Sequence, residues 1–425
     1  MSNKDDGHIE RSGSNTVTPE MDRRNGWIFF TSFVLVYLAA PVTYVDVVQA
    51  ALCDKLGASI SLANLPASAY LFGSFAPLIF SWKIPYRLER GTVVAANLVT
   101  AALLSSVFLA LYLPVGNRLR IAVVVLQGLV QGISGAVSQA YTLQCLGRGM
   151  TSVGRARFMK LTFTFTPVAA VVGSLGAQFV LTHGLKSLSY PYDFAVLYFI
   201  GTVCSIGIAL ASTRYQLLPV PEERRADFVR YIVNSVKSFV SVRPLVILWL
   251  AYALWYVTIS GMSNFSLYTR EALGREPKEL SGLIMALRFG LKAAGGYCLG
   301  AMAVRWGDRS PVIGTVALVG AACVWAWLVP GYAYLFAFGL MGAGELGGNY
   351  FPNYLIRLSS PQHGARNQAL IALATPVASI APAMHGFLTE RFGFRASFMF
   401  GTITAIMAAV LVLKLPPSSV EQKSA

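Results

Sequence analysis

The sequence predicts an all-α membrane protein, with twelve transmembrane helices arranged as two pseudo-symmetric six-helix bundles. Three observations carry that expectation. The 425 residues are 55% hydrophobic and only 12% charged, with a mean hydropathy of +0.58, whereas soluble domains carry roughly 25% charged residues. A soluble fold of this size cannot hide so much apolar surface. Twelve stretches also reach the length of about 20 largely apolar residues that a membrane helix needs. Finally, sliding the chain by 209 residues aligns 135–169 with 344–378 at 11 of 35 positions without a gap, including TPVA at 166–169 and 375–378. Composition alone gives roughly three or four identities in such a window.

Taken in chain order, residues 1–26 are polar and of mixed charge. They have neither the apolar core nor the cleavage site of a signal peptide and read as a cytoplasmic tail. The first bundle, 27–212, holds helices 1 to 6 at 27–52, 61–82, 91–113, 119–142, 158–181 and 192–212. The second, 244–414, holds helices 7 to 12 at 244–268, 278–304, 311–329, 332–357, 366–388 and 394–414. Pro219 and Pro221 end helix 6 and open a cytoplasmic linker, 213–243. In it Phe228, Ile232, Val236, Phe239 and Val240 recur at helical spacing among Arg224, Arg225, Arg230 and Lys237. That pattern predicts a basic amphipathic helix on the inner leaflet. Residues 415–425 form a second cytoplasmic tail.

The net charge of +15 does not point to nucleic acid, because of where it lies. With the N-terminus inside, cytoplasmic segments collect 23 of the 34 Lys and Arg, the opposite side nine, and the membrane two. This positive-inside bias places both termini in the cytoplasm of a cell whose cytoplasmic (inner) membrane holds the protein. Cys53, Cys145, Cys204, Cys298 and Cys323 are scattered along apolar helices. Without metal-ligand or disulfide spacing they read as small hydrophobes, and no metal or cofactor is expected.

The 6+6 arrangement with a basic central loop resembles the major facilitator superfamily of transporters over essentially the whole chain, without identifying a subfamily. Local support comes from GAMAVRWGDR at 300–309 between helices 8 and 9. It is similar to the family's cytoplasmic G-x-x-x-D-R-x-G-R-R motif, with Gly300, Arg305, Gly307 and Arg309 in register under one small shift. Val304 stands where the family's aspartate would, and the 2–3 loop, WKIPYRLERG, keeps only basic character. The resemblance implies that Arg305 and Arg309 gate the cycle; plain positive-inside charge is the alternative. Helix 5 reads TPVAAVVGSLGAQ and lacks the proline-glycine order of many drug/proton antiporters, which disfavours efflux.

Charges within a membrane are costly and mark pathways or buried pairs. Four positions qualify: Asp46 in helix 1, Arg288 and Lys292 in helix 8, and Glu345 in helix 10. Glu345 lies in GAGELGGNYFPNY at 342–354, whose first six residues match the dinucleotide fingerprint G-x-G-x-x-G. That fingerprint requires a strand, a turn and a helix in a βαβ unit, and its position midway along a membrane helix rules it out. The glycines there suit close packing and bending, and Pro352 suits a kink. Arg288 and Lys292 are i, i+4 and share a face. In the resembled fold helices 8 and 10 are neighbours, so Glu345 can pair with either cation.

Glu345, Asn349 and Asn353 form a polar stripe on helix 10, and Gln127, Gln131, Ser134 and Ser138 form another on helix 4. Helix 7 aligns Tyr252, Tyr256 and Ser263, with Trp255 and Asn264 beside them. The resemblance puts these helices and helix 1 around the cavity. Substrate contacts are therefore expected from Glu345, Asn349, Asn353, Tyr252, Tyr256, Gln127, Gln131, Arg288 and Lys292. Proton coupling is expected at Glu345 or Asp46, although on a straight helix Asp46 faces away from Tyr37, Pro41 and Tyr44. Asp46 could instead sit in water with Asp54 and Lys55. His385 reads as a packing histidine.

No nucleophile elbow, H-E-x-x-H or Walker A motif is present, so the chain is not read as an enzyme or a primary pump. The expectation is a monomeric secondary active transporter moving a small polar organic solute by alternating access, with proton-coupled symport. Alternatives are an organic-anion carrier using Arg288 and Lys292, a proton-driven efflux pump and, outside transport, a sensor or scaffold on a transporter fold.

Overall fold

A computed structural model describes residues 16–84, 88–182, 189–219, 228–359 and 364–416. The described residues are helical with no strand, and across short breaks their helices, the linker helix apart, group into twelve rods in the expected order. Seven of the helices are long and apolar enough to cross a membrane by themselves.

Four rods are whole in the first set and three in the second. Helix 3 is Glu89–Tyr112, helix 4 Asn117–Gly149, and helix 6 Tyr192–Ser212. Helix 9 is Arg309–Leu328 and helix 12 Phe394–Leu413. Helix 4 has 33 residues, which at 1.5 Å per residue makes about 50 Å, so it projects well past a hydrocarbon core of about 30 Å. Helix 5, Ser152–Leu181, and helix 8, Pro277–Trp306, are also unbroken and cross each other between the two sets. They can approach because Gly282 has no side chain. A Cβ there would lie 2.3 Å from the Ser174 carbonyl and 2.4 Å from Gln178.

Helix 1 starts at Pro19, earlier than the span expected from hydropathy, because Thr18 accepts a hydrogen bond from the Met21 N–H. It then breaks twice, into Pro19–Leu38, Ala40–Thr43 and Val47–Lys55. Helix 2 breaks between Ile60–Gly73 and Ala76–Lys83, and helix 7 between Arg243–Ile259 and Met262–Leu273. Helix 10 runs from a 3-10 turn, Gly331–Leu335, through Phe336–Gly344 and on to Gly347–Leu358. Helix 11 is in four pieces from Gly364–Ala372 to Ala381–Phe392.

On the face away from the termini, here the distal face, side chains tie the two sets together. Asp54 pairs with Arg270 at 2.6 Å, and Lys55 with Glu276 at 3.5 Å. Asp193 is buried and pairs with Lys278. Glu390 accepts from the Ser61 N–H at 2.7 Å, and Asn64 donates to Asn264 at 2.7 Å. On the termini face, matching arginines pin the ends of helices 6 and 12 within their own sets. Arg90 donates to the Tyr215 carbonyl at 3.3 Å and Arg309 to the Leu415 carbonyl at 2.8 Å.

The linker helix is Phe228–Val240, as its spacing predicts, but it presents two apolar faces. Phe239 turns into the core while Val229, Val233, Val236 and Val240 form an exposed stripe. Arg224 and Arg225 lie outside the described residues. Four of the cysteines are buried, whereas Cys298 is exposed.

Candidate functional site

The breaks in helices 1 and 10 create the site. Helix 1 stops at Thr43 and restarts at Val47, with Asp46 as the N-cap of the new segment. The Asp46 side chain accepts from the Val47 N–H, and Gln49 accepts from the Asp46 N–H at 3.2 Å, a reciprocal capping box. Glu345 stands just before the helix Gly347–Leu358. Each carboxylate thus lies at the start of a half-helix, where the positive end of the helix dipole favours negative charge.

Unbroken helix 8 supplies the cations. Arg288 Nη1 donates to Asp46 Oδ2 at 2.6 Å, and its Nε donates to Glu345 Oε1. Lys292 Nζ donates to Glu345 Oε2 at 2.8 Å. The four side chains are between 7% and 16% exposed, so water screens them little. Arg288 therefore holds a carboxylate from each set of six helices at once. The aromatic faces of Tyr44 and Phe289 add to this, with the Arg288 guanidinium 5.4 Å and 5.7 Å from their ring centres.

Helix 10 reaches this position because of a glycine. A Cβ on Gly342 would sit 2.1 Å from the Arg288 carbonyl oxygen, so only glycine allows the contact. The bend falls at Glu345 and Leu346 rather than at Pro352, which lies inside Gly347–Leu358. Glycines at 342, 344, 347 and 348 surround it, and each costs a helix interior about 1 kcal/mol relative to alanine.

A cavity of about 250 Å³ opens on the cluster, lined by Asp46, Arg288, Lys292 and Glu345 with Tyr44, Tyr70, Trp255, Tyr256, Ser260 and Ser263. Of the residues expected from sequence, Tyr256 lines it. Tyr252 stands behind, stacked on Trp255 with ring centres 5.5 Å apart and its hydroxyl 3.3 Å from that of Tyr256. Gln127 and Gln131 are buried in helix 4 and bonded to each other. Gln131 donates to the Thr43 carbonyl at 2.7 Å, so the pair satisfies backbone freed by the break in helix 1. Asn349 and Asn353 are exposed and lie outside the cavity wall.

Asp46 is paired with Arg288 and not grouped with Asp54 and Lys55, which serve the distal ties. Arg305 is exposed with its guanidinium 5.4 Å from the Trp306 ring centre, and Arg309 holds Leu415. His385 is buried, with Nδ1 2.8 Å from Ser397 Oγ and Nε2 3.0 Å from the Val257 carbonyl, a fully satisfied packing histidine. Sequence reasoning missed Tyr70, Ser260 and Phe289 at the site, and the buried pair of Glu89 with Arg148 at 2.6 Å. Among the described residues no group of three or more His, Cys, Asp or Glu is placed to hold a metal ion.

Residues 270–425 match the family model of the Major Facilitator Superfamily. More than nine-tenths of the chain aligns with solved transporters of that architecture. A D-xylose-proton symporter is 15% identical with a TM-score of 0.66, over 94% of this chain and 98% of that one. A bacterial homologue of the iron transporter ferroportin in an inward-facing state is 15% identical, TM-score 0.67, over 92% and 98%. An auto-inhibited POT family peptide transporter is 12% identical, TM-score 0.64, over 94% and 99%. The fold is that of the Major Facilitator Superfamily. No curated protein shows significant sequence similarity to the chain. Together with the seven helices long and apolar enough to cross a membrane, this fold marks the chain as an integral membrane protein.

Proposed function

We propose that the protein is a secondary active transporter that carries a small polar organic solute by alternating access, coupled to protons. The observation that carries this reading is Arg288, which grips Asp46 from one set of helices and Glu345 from the other inside a cavity. Its cations and carboxylates balance as built, two against two. Adding a proton to either carboxylate leaves an uncompensated positive charge, which is costly within a membrane. A solute entering beside Tyr256, Ser260 and Ser263 then meets a cluster that can change partners. Release of Asp46 from Arg288 frees one set of helices to rock against the other, and the distal ties part.

The neighbours support transport of small solutes by this fold: they include a D-xylose-proton symporter, a nucleoside transporter and a peptide transporter. The positive-inside bias supports an orientation with both termini in the cytoplasm of the cell membrane, so the closed distal face is external. Arg305, exposed on the termini face, is available to latch the other set when that face closes. A second reading, carriage of an organic anion, is favoured by the presence of two cations at the cavity wall. Both are already paired, so an anion has to displace Asp46 or Glu345.

Uptake into proteoliposomes tests the proposal. With an inward proton gradient, accumulation of the transported solute should rise, and Glu345→Gln should abolish the gradient's effect while exchange of solute across the membrane persists. Uptake indifferent both to the gradient and to Glu345→Gln would refute proton coupling.

A further inference from the structure

A second, larger cavity lies on the termini face, where the start of helix 1 meets the start of helix 5. Its volume is about 1070 Å³, and its wall includes Asp22, Arg23, Trp27, Arg157, Phe158 and Phe165. Asp22 is committed elsewhere. Its Oδ1 accepts from the Thr151 N–H and its Oδ2 from the Thr151 hydroxyl, both at 3.0 Å, fixing the start of helix 5. Arg23 and Arg157 come from two different helices, are exposed, and have no acidic or hydrogen-bonding partner among the described residues. The groove therefore presents two free positive charges above an aromatic floor. Trp27, 49% exposed, meets Phe158 edge-on with ring centres 5.7 Å apart, and Phe30 meets Phe165 at 6.3 Å.

Below the arginines the apolar surface continues. Phe165, Val168, Val172 and Leu175 are all about half exposed and follow one face of helix 5. From Leu161 to Val172 the helix rises about 16 Å, close to the half-thickness of about 15 Å of a bilayer's hydrocarbon core. Cations at the top, an indole one turn lower and an apolar stripe one leaflet deep are the successive layers of a phospholipid.

We propose that this groove is a binding site for an anionic glycerophospholipid, its phosphate held between Arg23 and Arg157 and an acyl chain lying along Phe165, Val168 and Val172. Basic pockets between membrane helices on the cytoplasmic side suit such headgroups. The site is built from helices 1 and 5 alone, so it persists whichever way the two sets are tilted.

Native mass spectrometry of the full-length protein tests this, with phosphatidylglycerol and phosphatidylcholine titrated separately. At about 1 kcal/mol per arginine near a membrane surface, phosphatidylglycerol should bind about 30-fold more tightly than phosphatidylcholine. Arg23→Gln or Arg157→Gln should each cost about fivefold, and the double variant should erase the preference. Arg391→Gln with Arg395→Gln, the same charge change on the distal face, should leave it intact. Equal loss in that control pair would reduce the effect to bulk charge, and an unchanged double variant would overturn the site. Competition by millimolar inorganic phosphate would also overturn the lipid assignment, in favour of a soluble phosphate ligand. Both arginines are exposed, and matching thermal unfolding of the variants checks that the fold is retained.

Discussion

Asp46→Asn is the sharpest test of whether the central cluster moves or merely holds. The asparagine can still accept from the Val47 N–H, so the start of Val47–Lys55 should survive. What disappears is the charge facing Arg288 Nη1 at 2.6 Å, and with it the ion pair by which helix 8 grips helix 1. Hydrogen bonds to charged groups contribute about 1.5–3 kcal/mol. A loss of about 2 kcal/mol in the state closed at the distal face moves its equilibrium with the open state by roughly 30-fold. Arg288→Gln should cost more, about 3–5 kcal/mol, because it strands Asp46 and leaves Glu345 to Lys292 alone. The double variant is neutral again. It should recover at least about 1 kcal/mol relative to the sum of the single effects.

A reporter cysteine reads the equilibrium. Ser263 is 1% exposed and lines the cavity on helix 7, in the segment that runs to the distal face. Ser263→Cys in a Cys298→Ser background leaves the remaining native cysteines buried. A membrane-impermeant maleimide added from the distal side should label it at least about tenfold faster with Asp46→Asn, in line with the population shift. Acidification should raise the parent's rate more than that of Asp46→Asn, because the variant has lost one of the two carboxylates that can take the proton. Equal labelling of parent and variant, with only a fall in thermal stability, would show the pair to be structural and would sink the gating role.

Other outcomes follow from the same geometry. Lys278→Met should destabilise the protein by about 3–5 kcal/mol by stranding Asp193, and adding Asp193→Asn should restore most of it, read as thermal unfolding in detergent. Gly342→Val places a side chain where the Arg288 carbonyl already lies, so it should cost about 1–3 kcal/mol and abolish uptake, whereas Gly348→Val, with 3.9 Å to its nearest neighbour, should keep the fold. At the distal face, burial alone would raise the Glu276 carboxyl, but Arg270 and Lys55 outweigh it and hold the group below the ordinary glutamate range. A lowered folded value means that its support is present at neutral pH and lost as pH falls through that lowered value. With Glu276 38% exposed this component should stay under about 1 kcal/mol, and Glu276→Gln should remove it from the acid limb of a distal-labelling profile.

How far the site could be read in advance turns on where helices break. Hydropathy places a helix but not its interruptions, because a break of three residues leaves the apolar count unchanged. On a continuous helix 1, Tyr44 and Asp46 point to different sides, and Asp46 faces away from the cavity. The break at Thr43 to Val47 brings both to Arg288. The signal was present in the letters: Asp46-Val-Val-Gln49 is an N-cap acid followed three residues later by glutamine, the spacing of a capping box. In helix 10 the four glycines around Glu345 likewise mark the bend better than Pro352, which can sit inside a helix once a neighbour satisfies the freed backbone. Here Gln368 donates to the Pro352 carbonyl at 2.7 Å. The i, i+4 pair Arg288 and Lys292, by contrast, was legible because helix 8 is unbroken and its periodicity holds over all 30 residues. The polar stripes show the limit of that logic. Gln127 and Gln131 lie on one face as their spacing requires, yet they answer the backbone exposed by helix 1 and not the cavity. Which partner a buried amide finds depends on where another helix comes apart, and that is decided by tertiary packing. The ties across the distal face were hidden for a related reason. Asp54, Lys55, Asp193, Arg270, Glu276 and Lys278 read as ordinary loop charges until the two sets of helices close on one another and pair them. A charge at a helix end becomes part of a gate only through the residue it meets from the opposite set, which the spacing within its own helix does not encode.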